Sequence, residues 1–390
     1  MKSKHIYKSI ACGVLLALTA TSCDLDYNPV DSYSDVTEGV DKTDEKPIFN
    51  SVQDVETSMV TLHKKFRDQQ EHWYVDKLLI GDAHSDNAYA GTTGAEVVPY
   101  ETNSIEGSNS VLKRDWDRFL GDIAEANRII VGCEQLKALS DSERGKYQSQ
   151  AKIFRAMVMF DMVRLWGNFP VITTVGGDIT EDNVEEMYPT YFPPQNTAEE
   201  AYAQIEKDLT EAVENPNTPT NDASDKSILT KSVARAMLAK VYAEKPLRDY
   251  AKVIKYADEL AADGFDLVED FSDLWAYDTE KKDCRVRNTK EAILEAHFPP
   301  GSGNWCTWMF GRNLSNWDES FTWAKWITPS RDLIRLYEEQ GDTKRYNESV
   351  VWYECGWSNY YPADHYAFMY KCRSAFNSII SVSYTHLRAH

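Results

Sequence analysis

Five of the 11 tryptophans in this chain of 390 residues stand together in NWCTWMFGRNLSNWDESFTWAKW, from Asn304 to Trp326. Gly301, Gly303 and Gly311 disfavour one continuous helix there. Between the indoles lie Asn304, Arg312, Asn313, Asn316, Asp318 and Glu319, which supply donors and acceptors beside the rings. Two uses fit such a stretch. Burying an aromatic side chain stabilises by about 1.5–3 kcal/mol, so the rings could plug a satellite core beneath long loops. Exposed, they would form a face on which a ligand stacks. A sugar needs this mixture, because its apolar C–H face lies on an aromatic ring while its hydroxyls take hydrogen bonds from Asn, Asp and Arg. Trp305, Trp308, Trp317 and Trp323 are the candidate stacking residues, with Asn304, Arg312, Asn316 and Asp318 as polar partners. Tyr89 and Trp357 are outlying candidates.

Other chemistry is sparsely supported. No Gly-rich phosphate loop, GxSxG elbow or HExxH helix occurs, and paired carboxylates mean little among 62 acids. GDAHSDN offers Asp82, His84 and Asp86 at alternate positions, one face of a strand if a strand forms, for a divalent cation or for a hydrogen-bonded turn. Arg155, Asp161 and Arg164 fall in an apolar stretch and read as structural ion pairs, with Asp161 and Arg164 spaced to pair on one face. The expectation is a binding protein without catalytic residues, cofactor or metal. The formal charge of −20 argues against nucleic acid, since such a surface repels phosphate backbones even where bases could stack. A neutral ligand, or a basic patch on a protein partner, fits that charge.

The elements that must position these residues are mostly helices. Val52, Val55, Met59, Leu62 and Phe66 recur at helical spacing, as do Trp116, Phe119, Ile123 and Ile130. Ser149 to Trp166 is apolar almost all round and predicts a central buried helix, stopped by Gly167. Thr197 and Glu200 form a capping box for the next helix. Two further helices read as a hairpin: Ala234, Ala236, Ala239 and Ala243 allow close approach, and Tyr250, Val253, Ile254, Ala257 and Leu260 form one apolar side. This is the style of tetratricopeptide-type repeats. Beyond Phe265 the helical period weakens. EAILEAHF predicts a strand, SRDLIRLYEEQ a helix from Ser330 to Gly341, and the rest reads as aromatic-rich loop.

The first residues read as a targeting segment. Lys2, Lys4 and Lys8 precede an uncharged run from Ser9 to Ser22, too short for a bilayer span and suited to a signal peptide. Cys23 follows directly and is the expected lipidation site; ordinary cleavage after Ala20 and Ser22, with simple secretion, is the other reading. Residues 24–46 are polar and acidic, a tether. Five later cysteines form no CxxC pair, so neither zinc nor a redox motif is supported.

Taken together, Asp24 and Asp26 after the lipid-type cysteine, Trp116 with Ile123 and Asn127, Arg155 and Ala156, and Gly167 with Pro170 resemble the SusD-like (RagB/SusD) outer-membrane lipoproteins. AYAQIEKDLTEAV, SVARAMLAKVYAE, EAILEAHF and PSRDLIRLYEEQGDTKR follow in that family's order. The resemblance implies a mainly α fold of tetratricopeptide-like helix pairs with an irregular aromatic-rich subdomain. It also implies a cell-surface, lipid-anchored protein that captures oligosaccharide or polysaccharide and delivers it to a SusC-like TonB-dependent transporter in the outer membrane. A carrier of peptide or another nutrient on the same scaffold is the alternative, and a secreted glycosidase a more distant one. The expected organisation is a signal peptide over 1–22, a lipid-anchored acidic tether over 23–46 and a helical repeat scaffold over 47–264. A loop-rich ligand-binding region over 265–380 and a tail over 381–390, of foreign or disordered character, complete it. The family's later Leu-Ala-Glu helix and Asn-x-x-Arg motif are not found, which implies an incomplete final section.

Overall fold

In the computed structural model the chain divides after Lys46, and the second unit, Pro47–His390, holds every described residue. These are 47–90, 96–177, 179, 183–244, 246–274, 277–278, 280, 283–298, 326–353, 366–369 and 384–388.

Helices dominate. Helix α1 (Val52–Asp68) starts at a Ser51–Asp54 capping box and turns Val55, Met59, Leu62 and Phe66 inward, as their spacing predicts. After it come wide π turns, Glu71–Val75 and Leu79–Ala83, on either side of Asp76–Leu78. A short strand β1 (Ala88–Ala90) and helix α2 (Val98–Glu101) lead to two long helices, α3 (Ser110–Gln135) and α4 (Asp141–Trp166). Helix α4 packs between α3 and the later α6 (Ala198–Glu214). It buries Ala151, Ile153 to Phe160, Met162 and Val163 nearly all round, and Gly167, at φ 72°, ends it. The short helix α5 (Val184–Tyr191) precedes α6, which opens on the expected Thr197–Glu200 capping box.

Helices α7 (Lys231–Ala243) and α8 (Tyr250–Ala262) form the expected hairpin, but the buried face of α8 differs from the predicted one. Tyr256 and Leu260 are buried, whereas Tyr250 and Ile254 are exposed. The Tyr256 ring lies parallel to Tyr242 of α7 at 6.1 Å, which sets the rotation of α8.

Strands are short and paired in twos. β2 (Tyr277–Asp278) pairs with β3 (Asp283–Cys284), and β5 (Ile327–Pro329) pairs with β1. β4 (Ala292–Ala296) was expected to alternate; instead all five residues are buried. Both faces of β4 meet the core, with Ile293, Leu294 and Ala296 packed in it, and β4 pairs with β8 (Tyr384–Arg388). Helix α9 (Arg331–Gln340) begins at the Ser330 cap and ends at Gly341, as predicted. Helix α10 (Thr343–Ser349) runs into β6 (Val350–Tyr353), which pairs with β7 (Tyr366–Met369). No helix among the described residues is long and apolar enough to cross a membrane.

Candidate functional site

Tyr89 is the one candidate binding residue that lies among the described residues. Trp305, Trp308, Trp317, Trp323, Asn304, Arg312, Asn316, Asp318 and Trp357 lie outside them, as does Cys23. The fold nevertheless places Trp326, the last residue of the tryptophan-rich stretch, and the residues that follow it. Trp326 packs half-buried against the core, and the next three residues form β5, antiparallel to β1 with Thr328 opposite Tyr89. The Arg331 N–H, one of the first-turn donors that α9 cannot satisfy internally, donates to the Tyr89 hydroxyl at 3.2 Å. Ser330 donates from its N–H to the Asn87 carbonyl and from Oγ to the Asp86 carbonyl, and it accepts from Leu333 N–H. Glu101 accepts the Ala90 N–H at 2.7 Å. A half-buried tyrosine is thereby held at the exit of the aromatic stretch, although the two are separated by most of the sequence.

The Asp82–His84–Asp86 alternation does not form a strand face. Asp82 sits in a π turn, His84 follows at its end with its ring nitrogen 2.5 Å from Asn103 Oδ1, and the strand starts only at Ala88. Among the described residues no group of His, Cys, Asp and Glu could hold a metal ion.

Sequence reasoning passed over a polar groove of 430 Å³ around α2, lined by Glu96, Pro99, Ser104, Glu106, Ser108 and Asn109. Asn109 organises it: Nδ2 donates to the Glu96 carbonyl, while Oδ1 caps α3 through Val111 N–H and accepts from the buried Tyr100 hydroxyl. Hydroxyls and carboxylates in one open groove suit a polyhydroxylated ligand. The only signal was the Ser/Asn/Gly cluster TNSIEGSNS between two helical patterns, which marks a loop but no chemistry.

On the other side of that stretch in the sequence, Phe298 is buried and its ring meets Tyr74 edge-on at 6.0 Å. Beside it a 400 Å³ cleft is lined by His63, Lys64 and Arg67 of α1 and by Glu295 and His297. His297 and Glu295 are hydrogen-bonded at 2.9 Å, and burial holds the His63 pKa below its ordinary value.

The helices also hold a buried polar frame. Asp122 of α3 accepts from Trp73 Nε1 at 3.0 Å and Lys65 Nζ at 3.2 Å, and its Oδ2 is 2.9 Å from His72 Nε2. Burial lowers the His72 pKa against the pull of Asp122, so the pair is a hydrogen bond from neutral imidazole rather than an ion pair. Deeper in, Asp76 receives Arg114, and Asp115 is pushed up to about 9 by burial and then by Asp76. Asp115 therefore keeps its proton at neutral pH. Arg155 is a structural ion pair between packed helices, as expected: it grips Asp208 of α6 through two hydrogen bonds of 2.8 and 2.7 Å and donates to Asn127 of α3. The expected Asp161–Arg164 pairing is not made; Asp161 pairs with Lys77 and Arg164 with Glu244. Both partners come from neighbouring elements rather than from the same helix face.

Long paired helices with a few short two-stranded ladders make up the described scaffold, and the aromatic stretch lies in the sequence between Phe298 and β5. Residues 31–243, more than half of the chain, match a SusD-like family described as "Starch-binding associating with outer membrane", and the chain belongs to that family. A SusD-like protein of Bacteroides ovatus is 25% identical over 318 residues, 78% of this chain and 51% of the relative. The chain thus spans about half the length of that curated relative. Among solved structures, a laminarin-binding SusD-like protein superposes with a TM-score of 0.65 at 17% identity, covering 87% of this chain and 76% of the other. Surface glycan-binding protein A from Bacteroides fluxus gives 0.68 at 18% identity over 87% and 74%. The Bacteroides thetaiotaomicron protein of that name, in complex with laminarihexaose, gives 0.64 at 14% over 86% and 74%. These likenesses establish the mainly helical, tetratricopeptide-like fold.

Proposed function

We propose that this chain is a cell-surface glycan-binding lipoprotein, anchored through Cys23, that captures oligosaccharides and delivers them to a SusC-like TonB-dependent transporter without catalysing a reaction on them. The observation that carries the binding site is the β1–β5 ladder, which ties Tyr89 to the residues immediately after the tryptophan-rich stretch. Trp323 stands three positions before Trp326, so chain geometry keeps it within about 11 Å of that residue. In this reading Trp305, Trp308, Trp317 and Trp323 stack on sugar rings, and Asn304, Arg312, Asn316 and Asp318 take the hydroxyls. Tyr89 supports the platform from β1, and Trp357 is an outlying contact. Family membership and the glycan-binding relatives support the ligand class; the net charge of −20 favours a neutral glycan over an anionic one.

The test is calorimetric titration of the purified chain with laminarihexaose, a maltooligosaccharide and a mixed peptide pool. Binding of one glycan, weakened at least tenfold by the pair Trp305→Ala and Trp317→Ala, is the expected result. Unchanged affinity in the double variant rejects these site residues, and binding of peptide alone rejects the glycan reading. No reducing ends should appear during incubation.

A further inference from the structure

The segment 175–192 stands apart from the rest of the surface. Its base is rigid: Asn127 Nδ2 donates to the Ile172 and Thr174 carbonyls, while Phe169 and Asn196 form an antiparallel bridge that closes the other end. Between these roots the segment folds on itself. The Tyr191 hydroxyl donates to the Gly177 carbonyl at 2.6 Å, and Gly176 leaves room for the Tyr191 ring, which a Cβ there would meet at 3.1 Å. Yet helix α5 within it buries none of its residues. An eight-residue helix is marginal in water without an apolar face to bury.

What the segment shows to solvent is apolar. Val175, Ile179, Val184, Tyr188, Tyr191 and Phe192 are all exposed, Tyr188 at 58% and Phe192 at 67%. Six exposed apolar groups within one short segment, two of them stacked, mark an interaction surface rather than scattered surface residues. The charge around them has one sign. No lysine or arginine occurs between Arg164 and Lys207, while Glu185 and Glu186 stand in the first turn of α5.

We infer that 175–192 is a protein-docking arm, which seats its Tyr188–Phe192 edge in an apolar hollow rimmed by lysine and arginine on a partner protein. The inference deepens the delivery reading and rests on it, the partner there being the transporter. Two other occupants fit less well. Interfacial membrane segments carry basic residues on the polar face, whereas this arm carries acids that anionic headgroups repel. A sugar seated on an outer face of the stacked Tyr188–Phe192 pair, whose rings lie 4.7 Å apart, would leave Val175, Ile179 and Val184 exposed, apolar groups that a protein surface covers.

The experiment co-expresses the full chain with a SusC-like TonB-dependent barrel from the same genome and measures their affinity in detergent. It compares wild type, Y188A/F192A and E185K/E186K. The expected result is a complex weakened at least tenfold by either double variant, with glycan affinity and circular dichroism unchanged. Equal affinity in all three proteins overturns the docking arm and leaves the delivery reading intact. No wild-type complex overturns both. If instead wild type floats with phosphatidylglycerol vesicles and Y188A/F192A does not, the arm is a lipid contact and the protein-docking inference falls.

Discussion

At the scale of single residues, the buried polar frame depends on donors that have one acceptor to share. Asp122 is fully buried and serves His72, Trp73 and Lys65 together, while His72 Nδ1 has no partner among the described residues. Asp122→Ala removes all three contacts and strands the indole N–H; each buried donor so stranded costs about 1–3 kcal/mol. We expect a loss of roughly 3–5 kcal/mol in urea unfolding with an unchanged slope, and an unshifted midpoint would show that the network contributes nothing. Asp115 makes a separate prediction about pH. Its folded pKa, about 9, lies above the ordinary value, so the folded chain holds a proton that the unfolded chain loses near pH 4. Its contribution to stability is complete below that pH and is lost as pH rises toward 9. The lowered His72 acts oppositely, reducing stability only as pH falls below its unfolded value of about 6.5. Between about 6.5 and 9 the Asp115 effect therefore stands alone of the two, with a slope of at most about 1.4 kcal/mol per pH unit. Asp115→Asn should flatten that slope, and urea midpoints measured across the range would reveal it.

At the scale of elements, the same substitution has opposite effects at two places in one helix. Gly121 and Gly132 both lie within α3, where alanine is intrinsically favoured by roughly 1 kcal/mol. A Cβ at Gly121 would meet only Lys65 Nζ, at 3.8 Å, so Gly121→Ala should stabilise by about that amount. A Cβ at Gly132 would stand 2.3 Å from the buried Phe49 ring, and overpacking of this kind costs about 1–3 kcal/mol. Gly132→Ala should therefore destabilise; paired urea titrations giving the same sign for both would refute this account. The contrast also shows where the sequence was legible. Helices α1, α6 and α9 could be read because apolar period and capping residues agree, as at Thr197 with Glu200 and at Ser330, whereas α4 was legible only from Ser149 onward, its polar first turns and Ser140–Glu143 capping box carrying no apolar signal. The rotation of α8 could not, because Tyr250 and Tyr256 offer equal apolar faces and only the stack on Tyr242 decides between them. Nor could β8, whose partner β4 lies far back in the chain.

At the scale of the whole molecule, residue type carries the ligand chemistry, but only topology brings its parts together. The aromatic stretch and Tyr89 could each be picked out from the sequence; that Tyr89 faces Thr328 across a ladder could not, nor could the hydroxyl-rich groove around α2, whose serines have no period to read. The net charge of −20 then separates the two proposed contacts of the protein. Stacking a neutral sugar on indoles moves no charge, so its affinity should barely respond to salt. The docking arm meets its partner through exposed acids, whose attraction is screened within about 10 Å at 0.1 M salt. Raising salt from about 0.05 to about 0.5 M should thus leave glycan affinity within a factor of about two while slowing association with the barrel at least tenfold. The E185K/E186K variant should lose most of that salt dependence along with its affinity. Titrations of glycan and of barrel over one salt series decide the matter: parallel responses would mean that one surface serves both ligands, and the division of labour between aromatic stretch and arm would be wrong.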